Sequence, residues 1–331
     1  MNTLITGCCG FIGFNFTKKL IESNNFKIIG IDSLQSKCSK KNRDLLLNEK
    51  NFEFIEQDIL NINSLDLKGI DCVVNFAAES HVDNSIFRPE KFIQSNVLGY
   101  VELLKFCNVN NIEKILHIST DEVYGSNIEN FAKESDFFNP SSPYSASKAS
   151  AELMANSYTK TYGMEITTVR PANNYGIFQQ PEKLIPFSLA NLLNNKNIEL
   201  YGNGMNVRHW LHVDDTVSAL MLLLNKLPSQ ETFNIGSDVY FTNLEVSKKI
   251  LEIMHLADDR ISFVKDRPAH DFRYAVNFQK LLDTGWIPKA NFDDELVKII
   301  NWYSSNKEWW EDEYNQIVLK NRNKRFKLKQ K

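Results

Sequence analysis

Glycine and proline are scarce, 13 and 9 of 331 residues, which leaves no room for a long flexible linker and excludes a collagen-like chain. Cysteine is rarer still. Cys8, Cys9, Cys38, Cys72 and Cys107 make an odd count, and their spacing fits neither a disulfide framework nor a CxxC zinc pair. Reduced thiols and no metal are therefore expected. No apolar run reaches the roughly 18 residues that span a bilayer, so no membrane association is expected. No basic segment precedes the apolar stretch of MNTLITGCCGFIGF, which does not read as a secretory signal, and the expected location is the cytoplasm. Excess charge is also lacking: 38 Lys and Arg stand against 41 Asp and Glu, a net −3. Seven of those cations crowd into residues 320–331, so the rest of the chain is more acidic than the total. An acidic body is a poor nucleic-acid surface, and an anionic ligand has to be held by a few placed Arg and Lys. The basic run KNRNKRFKLKQK itself reads as a solvated terminus.

Hydrophobic residues make up 43% and charged residues 24%, the proportions of a globular chain, and the length allows about two domains. Apolar runs at 4–5, 27–31, 52–55, 72–76, 114–118 and 165–169 alternate with helix-like segments near 12–24, 41–49, 90–108 and 145–162. This alternation predicts an α/β fold, a Rossmann-type doubly wound parallel sheet with right-handed crossovers. After residue 172 the rhythm changes, with helices expected near 183–194, 213–225, 243–255 and 292–305. The reading is a first domain over 1–172, a smaller α/β C-terminal substrate domain over 173–319, and a basic tail over 320–331. The second domain is partly interleaved, because a strand within 207–236 (FNIG, 233–236) suits the main sheet. There is no internal repeat.

The first apolar run leads into Gly7-Cys8-Cys9-Gly10-Phe11-Ile12-Gly13, a G-x-x-G-x-x-G turn that opens a helix. Glycines permit a tight turn and close backbone approach, and a helix N-terminus offers free N–H groups and a positive dipole end to a pyrophosphate. Asp32 ends the second strand, where an acid accepts from ribose hydroxyls and repels a 2′-phosphate. NAD is therefore the expected cofactor, rather than NADP. Asp58-Ile59 and Ala77-Ala78-Glu79-Ser80 follow the third and fourth strands on the same edge.

Tyr144-Ser-Ala-Ser-Lys148 follows Ser142 and Pro143, an N-cap and a first-turn proline, so Tyr144 and Lys148 share one helix face. A nearby ammonium and a positive nicotinamide are expected to favour the phenolate and make a usable base. Ser119-Thr120-Asp121-Glu122-Val123-Tyr124-Gly125 follows the fifth strand. Its adjacent carboxyls can take opposite acid and base roles if their pKa values are split, which points to chemistry beyond hydride transfer.

With these residues in view the chain resembles the extended short-chain dehydrogenase/reductases, and within them the nucleotide-sugar 4,6-dehydratases, closest to those acting on dTDP-glucose. The similarity lies in TGCCGFIG, AAESHVD (77–83), STDEVYG, YSASK, NNYG (173–176), PEKLIP (181–186), RHWLHVDD (208–215) and DRPAHDFRYA (266–275), and spans nearly the whole chain. The resemblance implies that Tyr144 takes the sugar's C4 hydroxyl proton as hydride leaves C4, with Thr120 on the C4 oxygen and Lys148 tuning the phenol. Glu122 then removes the C5 proton, Asp121 protonates the departing C6 hydroxyl, and hydride returns to C6. By the same resemblance, NAD contacts Gly7, Gly10, Phe11, Ile12, Gly13, Asp32, Asp58, Ile59, Ala77, Ala78, Ser95, Tyr144, Lys148 and Asn174. The nucleotide-diphosphate sugar contacts Ser80, Thr120, Asn173, Lys183, Leu184, Tyr201, Arg208, Asn243, Arg267 and His270. The resemblance also implies a homodimer packed through 90–108 and 143–162. Phe14, Ile177, Gln179, Gln180, Ala269 and Phe272 depart from the family pattern and leave the base and sugar open. A UDP-sugar dehydratase, an epimerase or a decarboxylase of the same scaffold, and an idle dinucleotide-binding protein, are the competing readings. Trp210, Trp302, Trp309 and Trp310 are expected to be packing residues.

Overall fold

The computed structural model describes residues 1–226 and 230–328, with side chains as far as Lys320. Seven strands form the main sheet: β1 (Asn2–Thr6), β2 (Lys27–Asp32), β3 (Phe52–Glu56), β4 (Cys72–Asn75), β5 (Lys114–Ile118), β6 (Glu165–Pro171) and, by the chain order of the shorter strands below, β10 (Thr232–Ile235). All pairings are parallel, and the order is β10-β6-β5-β4-β1-β2-β3. The expected doubly wound sheet is thus present. Alternate residues of each strand feed opposite cores. Leu4, Ile29, Val73 and Ile115 pack on one face, and Ile5, Ile28, Val74 and Leu116 on the other. With both faces buried, the strands read as unbroken apolar runs. Strand order reverses at β1, which opens a crevice between the loops after β1 and β4.

The remaining strands are β7 (Asn173–Tyr175), β8 (Ile198–Tyr201), β9 (Val207–His212), β11 (Tyr240–Thr242) and β12 (Ile261–Val264). They form a β11-β9-β7 sheet and a β12-β8 pair. Their core is aromatic, built on Tyr175, Trp210, Phe292, Tyr303, Trp309, Trp310 and Tyr314. The main sheet ends at β10, hydrogen-bonded beside β6 although it lies more than sixty residues later in the chain.

Three expectations about helices need correction. The second helix runs Lys37–Leu46, ahead of the expected 41–49, because Ser36 accepts from the Ser39 amide and caps it there. The expected single helix over 90–108 is broken into Pro89–Phe92, a π-helical stretch Ile93–Leu98, and Gly99–Val109. The wider turn accompanies a buried anchor: Asn96 accepts from the Glu79 amide at 2.8 Å and donates to the Glu79 carbonyl at 3.0 Å and to Ser147 Oγ at 2.9 Å. Finally, the tail does not begin as a free basic run. A helix runs Lys307–Leu328, anchored by buried Trp309, Trp310 and Tyr314. The side chains of 321–328 and all of 329–331 lie outside the described residues. No helix among the described residues is long and apolar enough to cross a membrane.

Candidate active site

The glycine turn is closed by its own backbone. Gly7 donates to the Ile31 carbonyl at 2.7 Å and adopts φ +70°, and a Cβ there would lie 2.7 Å from the Ala77 nitrogen. A Cβ on Gly13 would lie 2.2 Å from the Gly7 carbonyl oxygen. The following helix, Phe11–Glu22, has no side-chain cap and no acid in its first turn, so its N-terminal N–H groups face the crevice unneutralised. Asp32 accepts from the amides of Cys9 at 3.0 Å and Leu34 at 2.8 Å, which fixes its carboxylate beside the turn. Burial raises its pKa. These features fit a dinucleotide: an uncapped helix end for the pyrophosphate and an oriented acid for the ribose. Asp58 caps the turn after β3 through the Leu60 amide at 2.9 Å, with Ile59 buried behind it. Ala77 and Ala78 are half-buried at the end of β4, and Ser95 is half-buried in the π-helical stretch. The Asn174 side chain is engaged by protein, donating to the Ala172 carbonyl at 2.9 Å and accepting from Thr216 at 2.6 Å.

The chemistry-bearing residues come together one loop further along the same sheet edge. The Pro143–Tyr162 helix starts in a capping box between Ser142 and Ser145, which sets the rotation of Tyr144 and Lys148. Thr120 caps the short turn Asp121–Tyr124, and its hydroxyl lies 3.3 Å from an Asp121 oxygen. Tyr144, Thr120, Asp121 and Glu122 act on one another. Burial pushes the Tyr144 phenol well up, the Glu122 and Asp121 charges push it further, and a hydrogen bond with Thr120 works the other way. This corrects the expectation of a phenol lowered by its lysine. Lys148 is buried and donates to the Ile118 carbonyl at 2.7 Å. Burial also brings its own ammonium down to about 8, against the pull of Glu152. Asp121 is pushed up to about 8, by burial first and then by Glu122, and is mostly protonated at neutral pH. Glu122 is raised by burial but faces the cations of Lys183, Arg267 and Arg208, which oppose the rise. Asp121 Oδ2 and Glu122 Oε2 are shielded and without a partner among the described residues. Two adjacent carboxyls with free oxygens and different surroundings are what an elimination requires.

The opposite wall is cationic. Arg208 is buried, stacked on Tyr274 at 4.6 Å, and held by the carbonyls of Val207 at 2.8 Å and Asp271 at 3.1 Å. Arg267 donates to Asp83 at 3.0 Å, and the Tyr201 hydroxyl donates to the same carboxylate at 2.7 Å. Burial alone would raise Asp83; His81, Tyr201 and Arg267 outweigh it and hold the carboxyl below its ordinary value. His270 Nδ1 donates to Asp266 at 2.7 Å, and burial with Arg267 and Arg208 brings its imidazole down to about 4, so it is neutral at pH 7. Lys183 donates to the Ser80 carbonyl at 2.7 Å, and Leu184 begins the Leu184–Leu193 helix behind it. Asn173 Oδ1 is buried without a partner among the described residues. Asn243 opens the Asn243–Ile253 helix after the Thr242 cap.

Sequence reasoning missed Asp83, Asp271 and Tyr274, although each lies inside a motif already singled out: the Asp83 carboxylate seats Arg267 and Tyr201, the Asp271 carbonyl seats Arg208, and the Tyr274 ring lies under Arg208 while its hydroxyl donates to Asp271 at 2.6 Å. It also missed Asn96, which nothing local marks. Phe14, one of the departures, packs its ring 4.7 Å from Phe178, which packs in turn on Trp302 and Trp309.

A family model for GDP-mannose 4,6 dehydratase matches residues 4–299. The low-salt glycan biosynthesis protein Agl12 of Haloferax volcanii is 40% identical over 93% of this chain and all of that protein. A dTDP-glucose 4,6-dehydratase of Streptomyces niveus is 36% identical over 94% of this chain and 95% of that protein. Among solved structures, the dTDP-glucose 4,6-dehydratase DesIV of Streptomyces venezuelae, with NAD bound, superposes with a TM-score of 0.91 at 36% identity, covering 94% of this chain and 99% of that one. A UDP-glucuronic acid 4-epimerase of Bacillus cereus, also with NAD, gives 0.84 at 25%, covering 91% and 99%.

Proposed function

This chain belongs to the GDP-mannose 4,6 dehydratase family, and from that membership and the site we propose an NAD-dependent nucleotide-sugar 4,6-dehydratase, a hydro-lyase that turns dTDP-glucose into dTDP-4-keto-6-deoxyglucose and water. The observation that carries the reading is the convergence of Tyr144 with the Asp121–Glu122 pair. An epimerase needs the phenol but no second acid–base couple.

Bound NAD+ supplies the acceptor for the C4 hydride, its later return to C6, and a positive charge beside the phenol. Tyr144 takes the C4 hydroxyl proton, and Thr120 orients the C4 oxygen. Lys148, fixed on the Ile118 carbonyl, keeps an ammonium one helical turn beyond the phenol. The 4-ketone acidifies C5, Glu122 removes that proton, Asp121, still protonated at neutral pH, delivers its own to the leaving C6 hydroxyl, and Glu122 gives its proton back to C5 once C6 is reduced. Groups in such roles are each worth about 10²–10⁴ in rate. Gly7, Gly10, Phe11, Ile12, Gly13, Asp32, Asp58, Ile59, Ala77, Ala78 and Ser95 hold the cofactor together with Tyr144 and Lys148, with Asn174 in support. Arg208, Arg267, Lys183 and the polar groups of Ser80, Asn173, Tyr201, Asn243 and His270, with Leu184, hold the sugar nucleotide. The division into a cofactor domain over 1–172 and a substrate domain over 173–319 belongs to the same proposal. So does homodimerisation, supported by exposed Leu98, Leu153 and Tyr162 on the two helical segments concerned. Five buried free cysteines suit a reducing compartment such as the cytoplasm.

The test is to incubate the purified protein with dTDP-glucose and with UDP-glucose and to weigh the products. A dehydratase gives a product lighter by one water, with dTDP-glucose turned over faster. Unchanged mass marks an epimerase, and loss of carbon dioxide from a uronic acid marks a decarboxylase.

A further inference from the structure

Glu152 and Arg170 have no place in the chemistry above, yet they form a nearly dry ion pair. Arg170 Nη2 donates to Glu152 Oε2 at 2.7 Å and Arg170 Nε to both carboxylate oxygens at 3.1 Å. Their side chains are only 5% and 3% exposed. A buried pair of this kind contributes little net stability compared with apolar residues of the same volume, so its value is sought in what it holds.

It holds both ends of the acid–base turn. Ser119 Oγ donates to Glu152, and Arg170 Nη1 donates to the Tyr124 hydroxyl. Tyr124 in turn donates to Asn234 on β10 at 2.8 Å, and its ring lies 4.8 Å under the Arg170 guanidinium. Thr120, Asp121 and Glu122 are strung between those two fixed points. Glu152 also lies one helical turn beyond Lys148. Lys148 grips the Ile118 carbonyl while Glu152 grips Ser119, so consecutive residues at the end of β5 are seized by consecutive turns of one helix.

We propose that Glu152 and Arg170 are positioning residues, a buried clamp that sets the Thr120–Glu122 turn against the helix carrying Tyr144 and Lys148. The proposal rests on the roles given to Tyr144 and Lys148. Glu152 has a second effect, as the acidic group whose charge opposes the loss of the Lys148 proton. Other groups at this cluster are His117 on β5, pushed down by burial and then by Lys148, Tyr100 on the Gly99–Val109 helix, raised by burial and then by Cys107 and Glu152, and Glu134, whose carbonyl accepts from Arg170 Nη1 at 3.2 Å.

The experiment compares the holoenzyme with Glu152→Gln and with the neutral double variant Glu152→Gln/Arg170→Gln. Cofactor reduction by dTDP-glucose is followed in a single turnover across pH, a step in which Asp121 transfers no proton. In Glu152→Gln this step slows by about 10- to 10²-fold with KM unchanged, and its alkaline limb moves to lower pH. A merely structural pair would not move that limb. Because one unpaired partner can prevent folding, the double variant decides the matter. If it melts like the parent but stays slow with a shifted limb, the clamp stands. If it melts like the parent with the parent's rate and profile, the clamp is overturned. Tyr144→Phe is run alongside. Turnover surviving in that variant breaks the underlying catalytic reading, whereas a dead Tyr144→Phe with a parent-like Glu152→Gln breaks the clamp alone.

Discussion

The two walls of the crevice are built on opposite principles. On the chemical wall, Asp121, Glu122, Tyr144 and Lys148 are buried, which pushes each toward its uncharged form, and two carboxyl oxygens have no partner among the described residues. On the cationic wall, Arg208 is seated by carbonyls and a ring and Arg267 by Asp83, so each guanidinium is held in place while Arg208 has no acidic partner and Arg267 Nε no partner at all among the described residues. The first wall stores free energy for a reaction, and the second is a prepared socket for an anion. Substitutions should therefore act on kcat and stability together on the first wall, and on KM on the second.

The largest expected effect is from Tyr144→Phe. Turnover should fall by at least about 10³-fold while the melting temperature holds or rises, because a buried hydroxyl without a charge-matched partner is removed. Steady-state assays and thermal melts check it; a large loss of stability would place Tyr144 with the structural wall instead. Next is Glu122→Gln. Elimination should drop by about 10²–10⁴-fold with some cofactor reduction surviving, and exchange of the C5 proton into deuterated solvent should stop. Persistent exchange would remove Glu122 as the base.

The third prediction concerns pH. Asp121 has a folded-state pKa of about 8, above the unfolded value near 3.9. The folded protein therefore binds the proton more tightly, and that stability is complete below about pH 4 and lost as pH rises through 8. Turnover, which needs the acid form, should fall over the upper part of the same range. Asp121→Asn should flatten this part of the stability profile while lowering kcat by about 10²-fold or more. Equal pH dependence in parent and variant would contradict it. The smallest effect on kcat is expected on the cationic wall: Arg267→Gln should raise KM by about 10- to 10²-fold with a smaller fall in kcat than in the variants above, and should lower the melting temperature by leaving Asp83 without its ion-pair partner. A drop in kcat with constant KM would erase the contrast between the walls.

How much of this was legible depends on chain distance. The glycine turn, Asp32, the Tyr144–Lys148 pair and the Asp121–Glu122 couple are local patterns, each set by one strand end or one helix turn, and each appears where its spacing placed it. The buried strands were legible because both faces are covered. What was not legible is built from partners far apart in the chain: Arg267 with Asp83, Asn96 with Glu79, Trp309 Nε1 with Asn42 Oδ1 at 3.0 Å, and Arg170 with Glu152. The end of the chain misled for the same reason. Its basic composition says nothing of the aromatic core that Trp310 and Tyr314 enter, nor of Glu313, which accepts from the Lys37 amide at 2.5 Å.

By itself, then, the order of residues determined which groups are present, which segments form buried strands, and which side chains share a helix face, because those follow from hydrophobic period and backbone geometry over a few residues. Only the folded chain decided their protonation. Whether a carboxyl keeps its proton or a lysine its charge depends on the water that distant segments exclude and the charges they bring near. Both are properties of the closed crevice rather than of any stretch of sequence.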